Sequence, residues 1–122
     1  MMTDRYMQIL WSKAVRAVWG EECANPECSN PAHSCHHVIK RRHTVTRYDA
    51  QNGLPLCIVC HPIADRNTAF AMQLLPEGSR EYLSDLGMYT LKDWLKHTKQ
   101  TRDEFMLLCA DELKDIIREG RI

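Results

Sequence analysis

The chain has 122 residues, with 16 basic side chains balancing 16 acidic ones, 44% apolar residues and few aromatics. This length supports one domain with a modest core, and the composition excludes a disordered or collagen-like protein. Neutrality excludes coating of nucleic acid by bulk charge, and no apolar run approaches the roughly 18 residues of a membrane span.

From Tyr6 to Trp19 apolar residues recur near a 3.6 period as Ile9, Leu10, Ala14, Val15, Val18 and Trp19, and Gly20 follows as a stop, which predicts a helix. The same N-terminal stretch is charged and amphipathic and lacks the apolar block and cleavage site of a signal peptide, so a cytoplasmic protein without membrane association is expected. Glu21 to Ser34 carries two Asn-Pro dipeptides and reads as loop. Two β-prone stretches follow, around His37–Arg41 and Leu54–Leu56. The long polar connection between them ends in Asn52-Gly53, a turn signal, so a hairpin is predicted. After Cys60, "HPIADRNTAFAMQLL" predicts a helix beginning near His61, with Pro62 tolerable in a first turn. Pro76-Glu77-Gly78 breaks the chain. Two amphipathic helices are expected beyond it, one around Ser79–Leu86 or Thr90–His97 and one over Arg102–Glu119. In the last, Phe105, Met106, Leu108, Cys109, Leu113, Ile116 and Ile117 form the core side. The fold class is α+β.

Six cysteines in a reducing compartment read first as metal ligands. Cys23 and Cys28 enclose four residues and Cys57 and Cys60 enclose two, both spacings that let two thiolates grip one tetrahedral zinc. Cys35 lies close enough in sequence to compete with Cys28, and Cys109 reads as a small apolar core residue. Trp11 and Trp19 read as core or loop packing before base-stacking platforms, and His33, His43 and His97 as surface residues. Lys40, Arg41, Arg42, His43 and Arg47 make a basic centre that the net charge conceals.

"HHVIKRR", "NGLPLC" and "CIVCH" together bring His36, His37, Asn52, Cys57, Cys60 and His61 onto one strand–strand–helix unit. This segment, from about Trp11 to Ala71, resembles the HNH endonucleases, the ββα-metal nucleases, and most closely in look the phage-type, NinG-like recombination nucleases. The resemblance implies a single domain with a core over 11–75 and a helical extension over 79–122. It also implies a metal-dependent endonuclease that hydrolyses phosphodiester bonds in DNA, by nicking or branched-DNA cleavage, in a host cytoplasm if phage-encoded. Carried over by position, His36 and His61 would bind a catalytic divalent metal such as Mg²⁺, Mn²⁺, Ni²⁺ or Zn²⁺, and His37 would be the general base. Asn52 would brace the hairpin loop, its loss slowing the reaction more than it harms folding. Cys23, Cys28, Cys57 and Cys60 would hold structural Zn²⁺, and Lys40, Arg41, Arg42 and Arg47 would contact DNA. Many relatives carry a further His or Lys three or four residues after the Cys-His pair. Here those positions are Ala64 and Asp65, which implies a missing ligand. The alternative is a zinc-stabilised nucleic-acid-binding module of the same fold without turnover. The C-terminal helices are available for a second copy or a protein partner.

Overall fold

In the computed structural model, which describes residues 2–122, the chain opens with helix α1, Asp4–Trp19. Thr3 caps it by accepting from the Tyr6 N–H at 3.1 Å, and Gly20 ends it at φ 88°, a conformation that glycine adopts without steric penalty. The buried stripe is Met7, Trp11, Ala14 and Val15. It is therefore rotated from the expected one, and Ile9 stands 46% exposed.

Strand β1 is Ser34–His37 and pairs antiparallel with β2, Gly53–Leu56, in a register that sets His36 opposite Leu54 and His37 opposite Gly53. The first strand thus ends at His37 instead of running over His37–Arg41. The physical reason is Asn52, whose side chain takes the Ile39 N–H at 2.6 Å and donates to the Ile39 carbonyl at 3.1 Å, replacing the ladder there. The connection closes through a 3-10 turn over Ala50–Asn52, capped by Asp49. Gly53 is extended at φ −145°, so it is not a left-handed turn residue. Its need is space: a Cβ would lie 2.3 Å from Val15 Cγ2 and 2.8 Å from Trp11 Cζ2.

Helix α2, Cys60–Arg66, follows β2 directly, and α3, Thr68–Leu74, succeeds it after a break. One continuous helix was the expectation. Asn67 interrupts it at φ −137°, where its side chain caps the second segment by accepting from Phe70 N–H at 3.1 Å. Helices α4, Glu77–Leu86, α5, Leu91–Thr98, and α6, Arg102–Glu119, complete the chain, so both alternatives for the penultimate helix exist. Thr101 and Glu104 start α6 with a reciprocal capping box. Its buried residues are Phe105, Ala110 and Leu113, whereas Leu108 is 46% exposed and departs from the expected core side.

Among the described residues this is a mixed α+β chain of six α-helices and one two-stranded sheet. Two cores support it. One joins Met7, Trp11, Ala14 and Val15 of α1 to Ala110 and Leu113 of α6. The other gathers Cys23, Cys57 and Cys60 with Val38, Leu54 and Leu56. No helix among the described residues is long and apolar enough to cross a membrane.

Candidate metal centre

The Sγ atoms of Cys23, Cys28, Cys57 and Cys60 all lie within 4.8 Å of one another. Tetrahedral zinc with bonds of about 2.3 Å sets its sulfurs about 3.8 Å apart, and Cys28 and Cys57 stand at 3.6 Å, unbonded. The loop over 21–33 is folded to deliver its pair. Cys23 N–H donates to the Asn30 carbonyl at 3.0 Å, Cys28 N–H to the Asn25 carbonyl at 3.0 Å, and Ala24 N–H to the Pro55 carbonyl at 2.7 Å. The second pair sits where β2 turns into α2. There the Cys60 backbone N–H points at Cys57 Sγ at 3.4 Å, and Asn25 Nδ2 at Cys60 Sγ at 3.6 Å. Such donors suit thiolates. The N–H groups of Cys60 and Val59 bring the Cys57 thiol down to about 6, while burial pushes Cys60 up to about 12. Four crowded thiols without a cation cannot all ionise, so the donor set fits zinc.

Cys35 is not part of this group. Its Sγ faces Ser12, 3.5 Å from the hydroxyl and 3.7 Å from the carbonyl, and burial raises its pKa.

A second cluster lies one residue further along α2. His36 Nδ1 is 3.2 Å from Asp65 Oδ1, and His61 Nε2 is 3.6 Å from the same oxygen. Their ligating atoms fall within 4.8 Å of one another. The His36 and His61 rings meet edge to face at 5.1 Å. Ser34 Oγ holds His61 Nδ1 at 2.5 Å, which turns Nε2 toward the cluster. Asp65, at a position where the resemblance implies a missing ligand, stands four residues after His61 on one helix face, so a carboxylate lies within ligating reach there. That spacing alone could have found it. Burial, with His61 nearby, lowers the pKa of His36, which favours the neutral, ligating ring.

His37 lines the same cleft of about 400 Å³ as His36, His61 and Asp65. Adjacent strand residues ordinarily face opposite ways, but β1 ends at this residue. The ring stacks on Trp11 at 3.7 Å and 6° between planes, and Nε2 lies 3.0 Å from the Arg47 carbonyl. A carbonyl only accepts, so Nε2 carries the hydrogen and Nδ1 keeps a bare lone pair. Burial pushes the pKa of His37 down to about 4, leaving it neutral at physiological pH. Trp11 is fixed in turn by donating Nε1–H to the Asp49 carbonyl at 2.9 Å. The stack joins residues 26 apart in sequence, which no local pattern signals.

Asn52 is fully buried and adds a third bond, to the Thr46 carbonyl at 3.1 Å. It ties both ends of the loop carrying the basic residues. That basic group divides. Lys40 and Arg41 line the cleft, with Lys40 Nζ donating to the Asp65 carbonyl at 3.2 Å. Arg47 turns away toward Tyr48 and Asp4, and Arg42 lines a separate concavity with His43, Gly87 and Met88. Asp4, at the start of α1, pairs with Arg41 at 3.0 Å and Arg47 at 3.7 Å.

No protein-family model matches the chain, and neither does any curated protein or solved structure. What the cleft can do therefore follows from its own chemistry: a ligand set of two imidazoles and one carboxylate, a neutral imidazole with a free lone pair, and two cations.

Proposed function

We propose that the chain is a metal-dependent endonuclease of the HNH type that hydrolyses DNA phosphodiester bonds. The observation that carries this reading is the shared cleft, in which His36, His61 and Asp65 stand within ligating reach of one another beside His37 with its bare Nδ1. Phosphodiester hydrolysis needs an activated water, a base for its proton and positive charge at the phosphate oxygens. His36, His61 and Asp65 would hold a divalent cation such as Mg²⁺, Mn²⁺, Ni²⁺ or Zn²⁺, which when bound polarises the phosphoryl group and neutralises the developing charge.

The remaining steps belong to the protein. His37 Nδ1 takes the proton of the attacking water, while its Nε2–H stays bonded to the Arg47 carbonyl and keeps the ring aimed. Trp11 blocks one face of that ring and prevents it from tilting. Asn52 holds the loop from which the Arg47 carbonyl comes. Lys40 and Arg41 meet the phosphate from the cleft wall. The four-cysteine group would hold zinc as a staple and stay out of the chemistry, because one ion would engage all four of its sulfurs.

The test is cleavage of supercoiled plasmid and of branched oligonucleotide DNA by wild type and His37→Ala, with and without Mg²⁺, Mn²⁺ or Ni²⁺. Metal-dependent cleavage should fall by about 10²–10⁴-fold in the variant, with zinc content and circular dichroism unchanged. DNA binding without cleavage by wild type would instead assign a binding module of the same fold.

A further inference from the structure

The metal cleft does not end at the metal cluster. A second concavity of about 320 Å³ continues along α1, lined by Ile9, Ser12, Arg16, His33 and Ser34. Gln8 and Cys35 border both, so the two form one groove. Lys40 and Arg41 stand at one end and Arg16 at the other. Although acids and bases are equal in number over the whole chain, Asp65 of the metal cluster is the one carboxylate among the residues lining this groove.

From Gln8, beside the metal cluster, to Arg16 the helix advances about 12 Å at roughly 1.5 Å per residue, so the groove is long enough to hold more than one nucleotide of a strand. The Arg16 guanidinium is braced by Glu21 at 2.8 Å and the His33 carbonyl at 3.3 Å, while a quarter of its side chain remains exposed. Ser12 and Ser34 supply hydroxyls between the cationic ends. The lining sets basic side chains at both ends, Arg16 and Arg41 each in an ion pair with a carboxylate outside it, and hydroxyls in the middle, donors of the kind a sugar–phosphate backbone accepts from.

We propose that this groove is the track for one nucleic-acid strand, with Ser12 and Arg16 of α1 contacting its backbone beyond the bond held at His36, His61 and Asp65. The proposal rests on the nuclease reading for its substrate and on α1 for its location.

Ile9 makes the test clean, because it lines the groove, is exposed and has no part in the metal cluster. Wild type, Ile9→Glu and Ile9→Lys are compared by anisotropy on fluorescein-labelled single-stranded and duplex oligonucleotides, and by KM and kcat with Mn²⁺. Ile9→Glu should raise Kd and KM about tenfold and Ile9→Lys should lower them severalfold, with kcat held within about twofold. A response confined to single strands supports a track for an unpaired strand, and a response on both supports one strand of a duplex. Cleavage by wild type with Ile9→Glu and Ile9→Lys indistinguishable overturns the groove and spares the nuclease. Binding that responds to Ile9 without cleavage under any metal supports the groove and overturns the nuclease. Absence of binding by wild type overturns both.

Discussion

The two cores of this chain are built on different physics. Between α1 and α6, Met7, Trp11, Ala14, Val15, Ala110 and Leu113 are buried to 1% exposure or less and need nothing but one another. In the other core three of the buried residues are cysteines whose sulfurs crowd within 4.8 Å. The first gains stability from apolar area removed from water, whereas the second has a cysteine cluster that could hold a metal ion, which would let thiolates share a small volume. The lesson concerns the cleft, which draws residues from both sides. His61 and Asp65 stand on the helix that the second cysteine pair begins, whereas the His37 ring leans on Trp11 of the apolar core. A functional site at such a seam is positioned only when both cores are intact.

Zinc removal should break the comparison most visibly. A strong chelator should strip hydrogen-exchange protection from the amides of 21–39 and 53–66 while the α1 and α6 amides stay protected, because only one core loses its organising charge. Simultaneous loss of both would mean a single cooperative unit. The mirror experiment is Leu113→Ala, 1% exposed in the apolar core, which should lower stability by about 2–5 kcal/mol in chemical denaturation and leave the zinc stoichiometry at one. Loss of zinc in that variant would contradict independent cores. A smaller effect is expected where they touch. Gly53→Ala presses a methyl into Val15 and Trp11 and should cost about 1–3 kcal/mol. Because Trp11 carries the His37 stack, the same variant should also slow cleavage, and an unchanged rate would remove that stack from the mechanism.

Legibility in the sequence follows the same division. The cysteine pairs and the His36, His37 and His61 set announce themselves because their signal is local spacing, and the structure draws the four cysteines together. Asp65 is legible only by its spacing, since a carboxylate four positions after a histidine on a helix shares its face. Val38 and Ile39 favour extended structure and predict a strand that runs further. In the fold, the Asn52 amide intercepts the Ile39 backbone. Asn52 illustrates a second limit. The resemblance implies a loop brace whose loss affects rate more than folding; a fully buried amide with three bonds also leaves orphaned backbone groups when it is lost. Burial of that kind is a tertiary property and has no signature in the residues around it.

Thiol labelling gives the finest test, because it reads each core by its own cysteines. All six are free of disulfides. With zinc bound, Cys23, Cys28, Cys57 and Cys60 should resist alkylation, since their sulfurs are engaged and three of the residues are buried. Cys35 and Cys109 stand outside the group, and burial raises both thiols, Cys109 to about 12. Only the thiolate reacts, so at pH 7.5 these two should label slowly and at pH 9 faster, with the other four silent at either pH. Chelation should then release four fast sites, because the Cys57 thiol is held down to about 6 by the N–H groups aimed at it and its neighbours lose their crowding once the loop opens. Mass spectrometry of the labelled protein counts these classes directly. Two slow and four protected sites place Cys35 against α1 at Ser12, as the 3.5 Å contact indicates. Protection of Cys35 together with release of Cys28 would mean that Cys35 had entered the zinc group, and the boundary between the two cores would have to be redrawn through β1.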